Sequence, residues 1–384
     1  MMRTILLTCG ETSGEQHAAR LVRAIKAIDP SCRVMALGGD ALAGAGAEII
    51  HPLGRFAVMG FSEVLAKLPR IAALERSLAG LLAKGGIDLF IPVDYPGLNL
   101  RLAKRAKTAG VPVFYFISPQ VWAWGAWRVP RMKRSIDLMA VILPFEVDIY
   151  RRAGIPVVFA GHPLLDEIAA PGRPKEAPAP GAPFTVILFP GSRRQVFERM
   201  FPVFRDAARL MKNRFESAEF VVGLAPLIGD ETAPVPSDMR EWFRTTRRGI
   251  GELNKAAFAL AASGTVTLQC ALTGTPTVVS YRTSPVSYAI GKALVKIPWI
   301  AMPNVLARRA VLPELIQCAG TPERIAAEAE SMLGDPERYR AMSADLLSLR
   351  RALAGQGGIE RIAEMALRMA NGERATSVAG PSGG

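Results

Sequence analysis

The chain is poor in the residues that build metal and disulfide sites. Of 384 residues, four are cysteine and three are histidine (His17, His51, His162). Cys9, Cys32, Cys270 and Cys318 form no CxxC pair, so neither a Cys/His zinc site nor a disulfide framework is expected. Cys9 and Cys270 lie in apolar surroundings and read as buried thiols in a reducing compartment. Long apolar runs are missing too: no stretch reaches the roughly 18 residues of a membrane span. The opening MMRTILLTCGETSGE lacks the apolar length and the cleavage site of a secretory leader. Any membrane contact is therefore expected to be peripheral. Acidic residues are in deficit, 34 against 47 Lys+Arg, for a formal net charge of +13. That balance favours an anionic partner, although arginine-rich solvated helix faces would give it as well. The cations are spread along helices and no nucleic-acid-binding motif is present, so nucleic acid is not expected as the partner.

What is abundant is apolar residues, 50% of the chain, which is enough for two cores. The length suits two domains. Short apolar runs alternate with helical periodicity, the pattern of an α/β protein with parallel sheets. Strands are expected at Thr4–Thr8, Val34–Leu37, Leu89–Val93, Val113–Ile117, Leu138–Leu143 and Val157–Ala160. These runs are apolar throughout, as they are when helices cover both sheet faces. Helices are expected over Glu15–Ala27, within Gly60–Ala83, and over Leu98–Ala109. PGRPKEAPAPGAP (Pro171–Pro183) carries five prolines and reads as an interdomain linker. The pattern resumes at Thr185–Phe189, Phe220–Val222, Phe258–Ala261 and Thr277–Tyr281. The stretch Ala225–Arg244 looks short for a helix and a strand. A helical tail runs from about Pro322 to Met369, and the final TSVAGPSGG reads as disordered. The expected division is a first domain over 1–170, a linker over 171–183, a second domain over 184–350, and a terminal segment over 351–384. Ligands of doubly wound sheets bind beyond the carboxyl ends of the strands, so function is expected in those loops and in the cleft between the domains.

Four such loops carry polar chemistry. GETSGE (Gly10–Glu15) offers glycine freedom and a helix N-terminus to an anion or hydroxyl; a plain turn capped by Ser13 suits it equally. Asp94 ends a buried strand before Tyr-Pro-Gly and is a candidate general base, with a turn or cap role of equal weight. In LFPGSRRQ, Gly191 and Ser192 open a helix, and Arg193 is placed to pair with a diphosphate. In AASGTVTLQCALTGTPTVVSYR, the Ser263-Gly264-Thr265 turn offers backbone N–H groups to a phosphate, and Gln269 follows on the same helix. Two phosphate turns in one domain fit a nucleotide-diphosphate donor.

Two stretches are amphipathic. Phe61, Val64, Leu65, Leu68 and Ile71 recur at helical spacing beside Lys67 and Arg70, which suits either an interfacial helix or a core-facing one. In SPQVWAWGAWRVPRMKR, Trp122, Trp124 and Trp127 precede Arg128, Arg131, Lys133 and Arg134.

Taken together, GETSGE, AVMGFSEVL, DYPGLN, SPQVWAW, LPFE, GHPL, PGSR, ASGT, YR, MPN and PELIQ resemble the lipid-A-disaccharide synthases. These are inverting glycosyltransferases built from two Rossmann-like domains (the GT-B fold), and the blocks run in order from Gly10 to Gln317. The family joins UDP-2,3-diacylglucosamine to 2,3-diacylglucosamine 1-phosphate, giving the β-1,6-linked disaccharide 1-phosphate and UDP. The resemblance implies Asp94 as the base. It implies Ser192, Arg193, Ser263, Gly264, Thr265, Gln269, Tyr281, Arg282 and Asn304 on the donor side. It places Gly10, Glu11, Ser13, Asn99, Trp122, Trp124, Arg128 and Arg131 on the acceptor side; Trp127, outside the W-A-W block, is expected to pack beneath its loop. It further implies no metal or other cofactor, a return of the last helix (about Ala352–Met369) to the first domain, and peripheral attachment to the cytoplasmic face of the inner membrane through Phe61–Ile71. A homodimer is compatible with it. Gln269 stands where the family usually has glutamate, Gly97 where it has aspartate, Glu15 where it has aspartate and Gly125 where it has arginine. Gln195 and Val196 replace the acidic residue after PGSR. Glutamine keeps its hydrogen bonds but loses the roughly twofold gain of a charged acceptor. Two competing readings are a diverged nucleotide-sugar-binding protein with another acceptor or weak activity, and a non-catalytic membrane-associated binding protein.

Overall fold

The computed structural model describes residues 2–52, 61–169, 171–226, 228–295, 297–355 and 357–379. The side chains of Thr12, Ser13, residues 61–68, Asp230, Val286, Ile290 and Leu294 lie outside that description. The chain divides into two compact units. One comprises Met1–Pro163 with Leu353–Gly384, the other Leu164–Ala352.

The first unit is a parallel sheet of β1 (Thr4–Thr8), β2 (Arg33–Gly38), β3 (Glu48–Pro52), β4 (Leu89–Pro92), β5 (Phe114–Phe116), β6 (Leu138–Val141) and β7 (Val157–Phe159). The ladders β3-β2-β1-β4 and β5-β6-β7 are joined by bridges Phe90 to Val113 and Val93 to Phe116. Successive residues of a strand feed opposite faces. Ile5, Leu7, Ile91 and Val93 pack into one layer, with the helix Gly358–Ala370. Leu6 and Phe90 pack into the other, with Leu74, Leu78 and Leu82 of the helix Phe61–Ala83. The helix Gly358–Ala370 lies against Thr12–Ile28, burying Ile362, Ala363 and Ala366.

The second unit is a parallel sheet in the order β10-β9-β8-β11-β12-β13. Its strands are β8 (Phe184–Phe189), β9 (Ala218–Gly223), β10 (Phe243–Thr246), β11 (Phe258–Ala262), β12 (Thr277–Tyr281) and β13 (Glu314–Ile316). In both sheets the strand order reverses at the first strand, between β1 and β4 and between β8 and β11. That reversal is the switch point at which doubly wound sheets open a crevice.

The structure departs from the sequence expectation in three places. Strands β3, β10 and β13 were not anticipated. The stretch before β10 holds short 3₁₀ turns at Asp230–Thr232 and Ser237–Met239, with no α-helix among its described residues. The proline-rich segment is not where the chain crosses between units, since the division falls at Pro163 and Leu164. It is laid onto the second unit by Lys175. The Lys175 ammonium donates to the carbonyls of Leu253 (3.2 Å), Asn254 (3.2 Å) and Ala256 (2.6 Å), at the end of the helix Gly249–Lys255. A cation there meets the unpaired carbonyls and the negative end of the helix dipole. Finally, part of the tail expected to be disordered is the helix Ala375–Ala379, with Val378 buried against the first core.

Candidate active site

At the first switch point the loops after β1 and β4 face one another. Asp94 and Tyr95 both hold left-handed backbone (φ 46 for each), a conformation that costs a non-glycine residue of order 1 kcal/mol or more. Three hydrogen bonds hold the turn: Asp94 N–H to the Phe116 carbonyl (3.1 Å), and Asn99 Nδ2 (2.7 Å) and the Tyr115 hydroxyl (2.6 Å) to the Asp94 carbonyl. The turn leaves Asp94 half-exposed at the tip of β4. Tyr95 closes over the partner loop: a Cβ on Gly10 would sit 2.0 Å from the Tyr95 ring, so only glycine allows the two turns to meet. Burial, and then the nearby Glu11 charge, raise the Tyr95 hydroxyl pKa.

Asn99 corrects an expectation. It is wholly buried, accepts from Thr8 Oγ1 (2.7 Å), and donates to the carbonyls of Thr8, Val93 and Asp94 (3.4, 3.2 and 2.7 Å). It laces β1 to β4 across the switch point, and its side chain has no exposed surface. Glu15 is likewise internal: its carboxylate accepts from the backbone of Gly39, Ala41 and Leu42 and so caps the short helix Asp40–Ala43. The Ser13 side chain, expected as a cap, lies outside the described residues.

The tryptophans divide differently from the expectation. Trp122 is the anchored one: its indole N–H donates to Glu146 (3.1 Å) and its ring meets Phe145 edge-on. Glu146 also accepts from the Ser118 hydroxyl (2.7 Å) and the Leu143 N–H (3.2 Å). This carboxyl is 1% exposed. Burial raises its pKa to about 7 against the opposing pull of those donors. Trp127, expected beneath the loop, is 64% exposed, and Trp124 is 44% exposed. Left-handed Gly125 (φ 85) turns the chain outward into the 3₁₀ turn Ala126–Arg128, and the Arg128 guanidinium stacks at 4.3 Å over Trp124 and 5.2 Å over Trp127. Arg131 stacks on Trp127 at 5.3 Å. Of the interfacial set, Phe61, Val64, Leu65 and Leu68 have side chains outside the described residues, and Ile71 is half-buried.

Sequence reasoning also passed over the pair His17 and His162. Burial lowers them to about 4 and about 3, and the His17 Nδ1 has no partner. No spacing in the sequence links them. Glu146 had a signal, the acid of LPFE directly after β6.

At the second switch point Ser192 and Arg193 are exposed ahead of the helix Arg194–Arg214, with Arg193 at its N-cap. Across from them, Gly264 and Thr265 are exposed at the start of the helix Thr265–Leu272. Ser263 is tied back, its hydroxyl donating to the Ile300 carbonyl (2.7 Å). Gln269 is half-buried one turn on. Arg282, after β12, donates to the Gly320 carbonyl (2.9 Å), and half-buried Tyr281 packs on the core. Asn304 is a second correction. It is wholly buried, and its amide accepts from Val311 and Leu312 N–H and donates to the Leu312 carbonyl and Glu314. Glu314 in turn accepts from the N–H groups of Ile300 and Ala301. The MPN and PELIQ blocks therefore brace the loop that holds Ser263. Among the described residues no group of three or more His, Cys, Asp or Glu could hold a metal ion.

Solved structures confirm the fold. A glycosyltransferase of kitacinnamycin matches with TM-score 0.63 at 17% identity, covering 96% of this chain and 99% of its own. The UDP-GlcNAc 2-epimerase of Neisseria meningitidis bound to UDP-GlcNAc matches with TM-score 0.61 at 11% identity, covering 95% and 100%. In sequence, the lipid-A-disaccharide synthase of Trichlorobacter lovleyi is 40% identical over 379 residues, covering 96% of this chain and 97% of its own. That of Nitrosococcus oceani is 40% identical over 375 residues, covering 96% and 97%. The lipid-A-disaccharide synthetase family model matches residues 5–368. With that match over nearly its whole length, on a GT-B fold, the chain belongs to the lipid-A-disaccharide synthase family of glycosyltransferases.

Proposed function

We propose that the chain joins UDP-2,3-diacylglucosamine to 2,3-diacylglucosamine 1-phosphate, with the base on the first unit and the UDP-sugar on the second. The observation that carries this is the placement of all four polar turns, two at each switch point, on a chain 40% identical to proteins named lipid-A-disaccharide synthase. The diphosphate is held by the exposed N-terminus before Arg194 and by the Gly264-Thr265 turn, with Arg193 supplying the countercharge. Asp94 takes the proton of the acceptor 6-hydroxyl as that oxygen attacks the anomeric carbon opposite the leaving UDP. The new O–C bond forms as the C–O bond to the diphosphate breaks, and the configuration inverts. Trp124 and Arg128 flank the acceptor. Acylated substrates put the reaction at the cytoplasmic face of the inner membrane, with the protein bound peripherally.

The test is UDP release by purified protein given both substrates in detergent. UDP binding without UDP release sinks the transferase assignment. One observation favours a second reading, a nucleotide-sugar binder with weak activity: Gln269 lacks the charge that would grip donor hydroxyls. A Gln269→Glu chain that gains no rate removes Gln269 as the ground for that reading.

A further inference from the structure

Exposed tryptophan is uncommon, because no side chain offers more apolar surface to bury. Here two indoles three residues apart are exposed, Trp124 at 44% and Trp127 at 64%. They are not loose. Trp122 fastens the root of the loop to Glu146, and the alternation Trp124, Arg128, Trp127, Arg131 is stacked throughout. Between Ser118 and Ile136 the chain has four cations and no acid. Arg131, Lys133 and Arg134 are exposed.

We propose that this segment is a bilayer-contact surface: Trp127 enters the headgroup layer of an anionic membrane, and Arg131 and Arg134 bind its phosphates. The inference rests on the proposed function only for the choice of a lipid environment. The geometry favours a bilayer over a nucleic acid. A stacking base needs an open ring face, and here guanidinium groups already cover faces of both indoles. A guanidinium stacked on an indole still turns its N–H edge outward to phosphate. A headgroup layer accepts the amphipathic indole and presents phosphate in the same plane. Topology adds a second element at the same place. The segment follows β5 at the carboxyl end of the sheet. The helix Phe61–Ala83 runs back from β3 to β4 and so begins at that same end. Both belong to one face of the sheet, since Val121 and Met132 share a layer with Leu74, Leu78 and Leu82.

The test uses the full chain and vesicles free of either substrate. Wild type should sediment with vesicles of mixed phosphatidylglycerol and phosphatidylcholine, shift its tryptophan emission to the blue, and release with salt. Trp127→Ala should lower that partitioning about tenfold. The pair Arg131→Gln and Arg134→Gln should lower it about fivefold per arginine. Trp127→Ala should melt at the wild-type temperature, since the ring is exposed, and should keep UDP release from detergent-dispersed substrates. Unchanged vesicle binding by Trp127→Ala overturns the surface. So does binding of oligonucleotide in preference to vesicles. Loss of detergent turnover with vesicle binding intact reassigns Trp127 to the acceptor and also overturns it. A wild type that binds vesicles but never releases UDP sinks the transferase assignment instead and leaves the surface standing.

Discussion

Among single residues, position decides between ligand and scaffold more sharply than residue type does. Asp94 and Asn99 stand five apart in one block, yet Asp94 tips a strand in half-exposed, strained backbone while Asn99 is consumed by β1 and β4. Asp94→Asn should therefore lower turnover by about 10²–10⁴-fold while UDP affinity, measured by calorimetry, stays level. Glu146 carries a pH prediction. Its folded pKa is raised from 4.5 to about 7, so its stabilising contribution is complete below the unfolded value and is lost as pH rises through about 7. The full shift corresponds to about 3 kcal/mol. His17 and His162 act at the acid end: their depressed values mean stability present above 6.5 and lost as pH falls toward about 4 and about 3. Between pH 4.5 and 6.5 the two effects oppose one another, so Glu146→Gln should make the melting temperature rise more steeply with pH across that window than in wild type. A Glu146→Gln profile no steeper than wild type there would refute the assignment.

The central strands of both sheets were legible, and of the four edge strands only β7 was. Every strand flanked by neighbours on both sides shows as an apolar run. The three that escaped, β3, β10 and β13, are all sheet edges, with β3 and β13 half-buried or exposed along their length. An edge strand packs on one side only and needs no continuous apolar run. The site followed the same logic. Turns at strand ends announce themselves through glycine and a polar residue after an apolar run, so all four switch-point loops were found. Bracing between elements is a long-range matter, so Glu146 to Trp122 and Asn304 to Glu314 were not. Gly10→Ala tests one such contact. The added methyl overlaps the Tyr95 ring, so a loss of about 1–3 kcal/mol in denaturant unfolding is expected, with a drop in turnover larger than the drop in donor affinity. Asn304→Ala should cost about 2–4 kcal/mol, because it strands buried partners on Val311, Leu312 and Glu314. It should also raise the apparent KM for the UDP-sugar by loosening the loop that Ser263 grips.

For the molecule as a whole, the helix Gly358–Ala370 belongs to the first unit's core. A chain stopped after residue 357 would bare the face of Thr12–Ile28 that the last helix covers. It should appear in the insoluble fraction or bind a hydrophobic dye, and a soluble, dye-silent truncation would show that the contact is dispensable. Two glycines record where the chain leaves and re-enters the first unit. A Cβ on Gly355 would lie 2.0 Å from the backbone of Ala160, and one on Gly161 would lie 2.9 Å from that of Gly355. His162 N–H donates to the Leu353 carbonyl at 3.0 Å. The departing and returning strands of chain thus touch. Seen from the first unit, 164–352 is a cassette whose two ends open at one doorway. Such a cassette lends itself to excision: the outer piece could be resealed with a linker of very few residues, and the inner piece, its ends already side by side, could be closed into a circle.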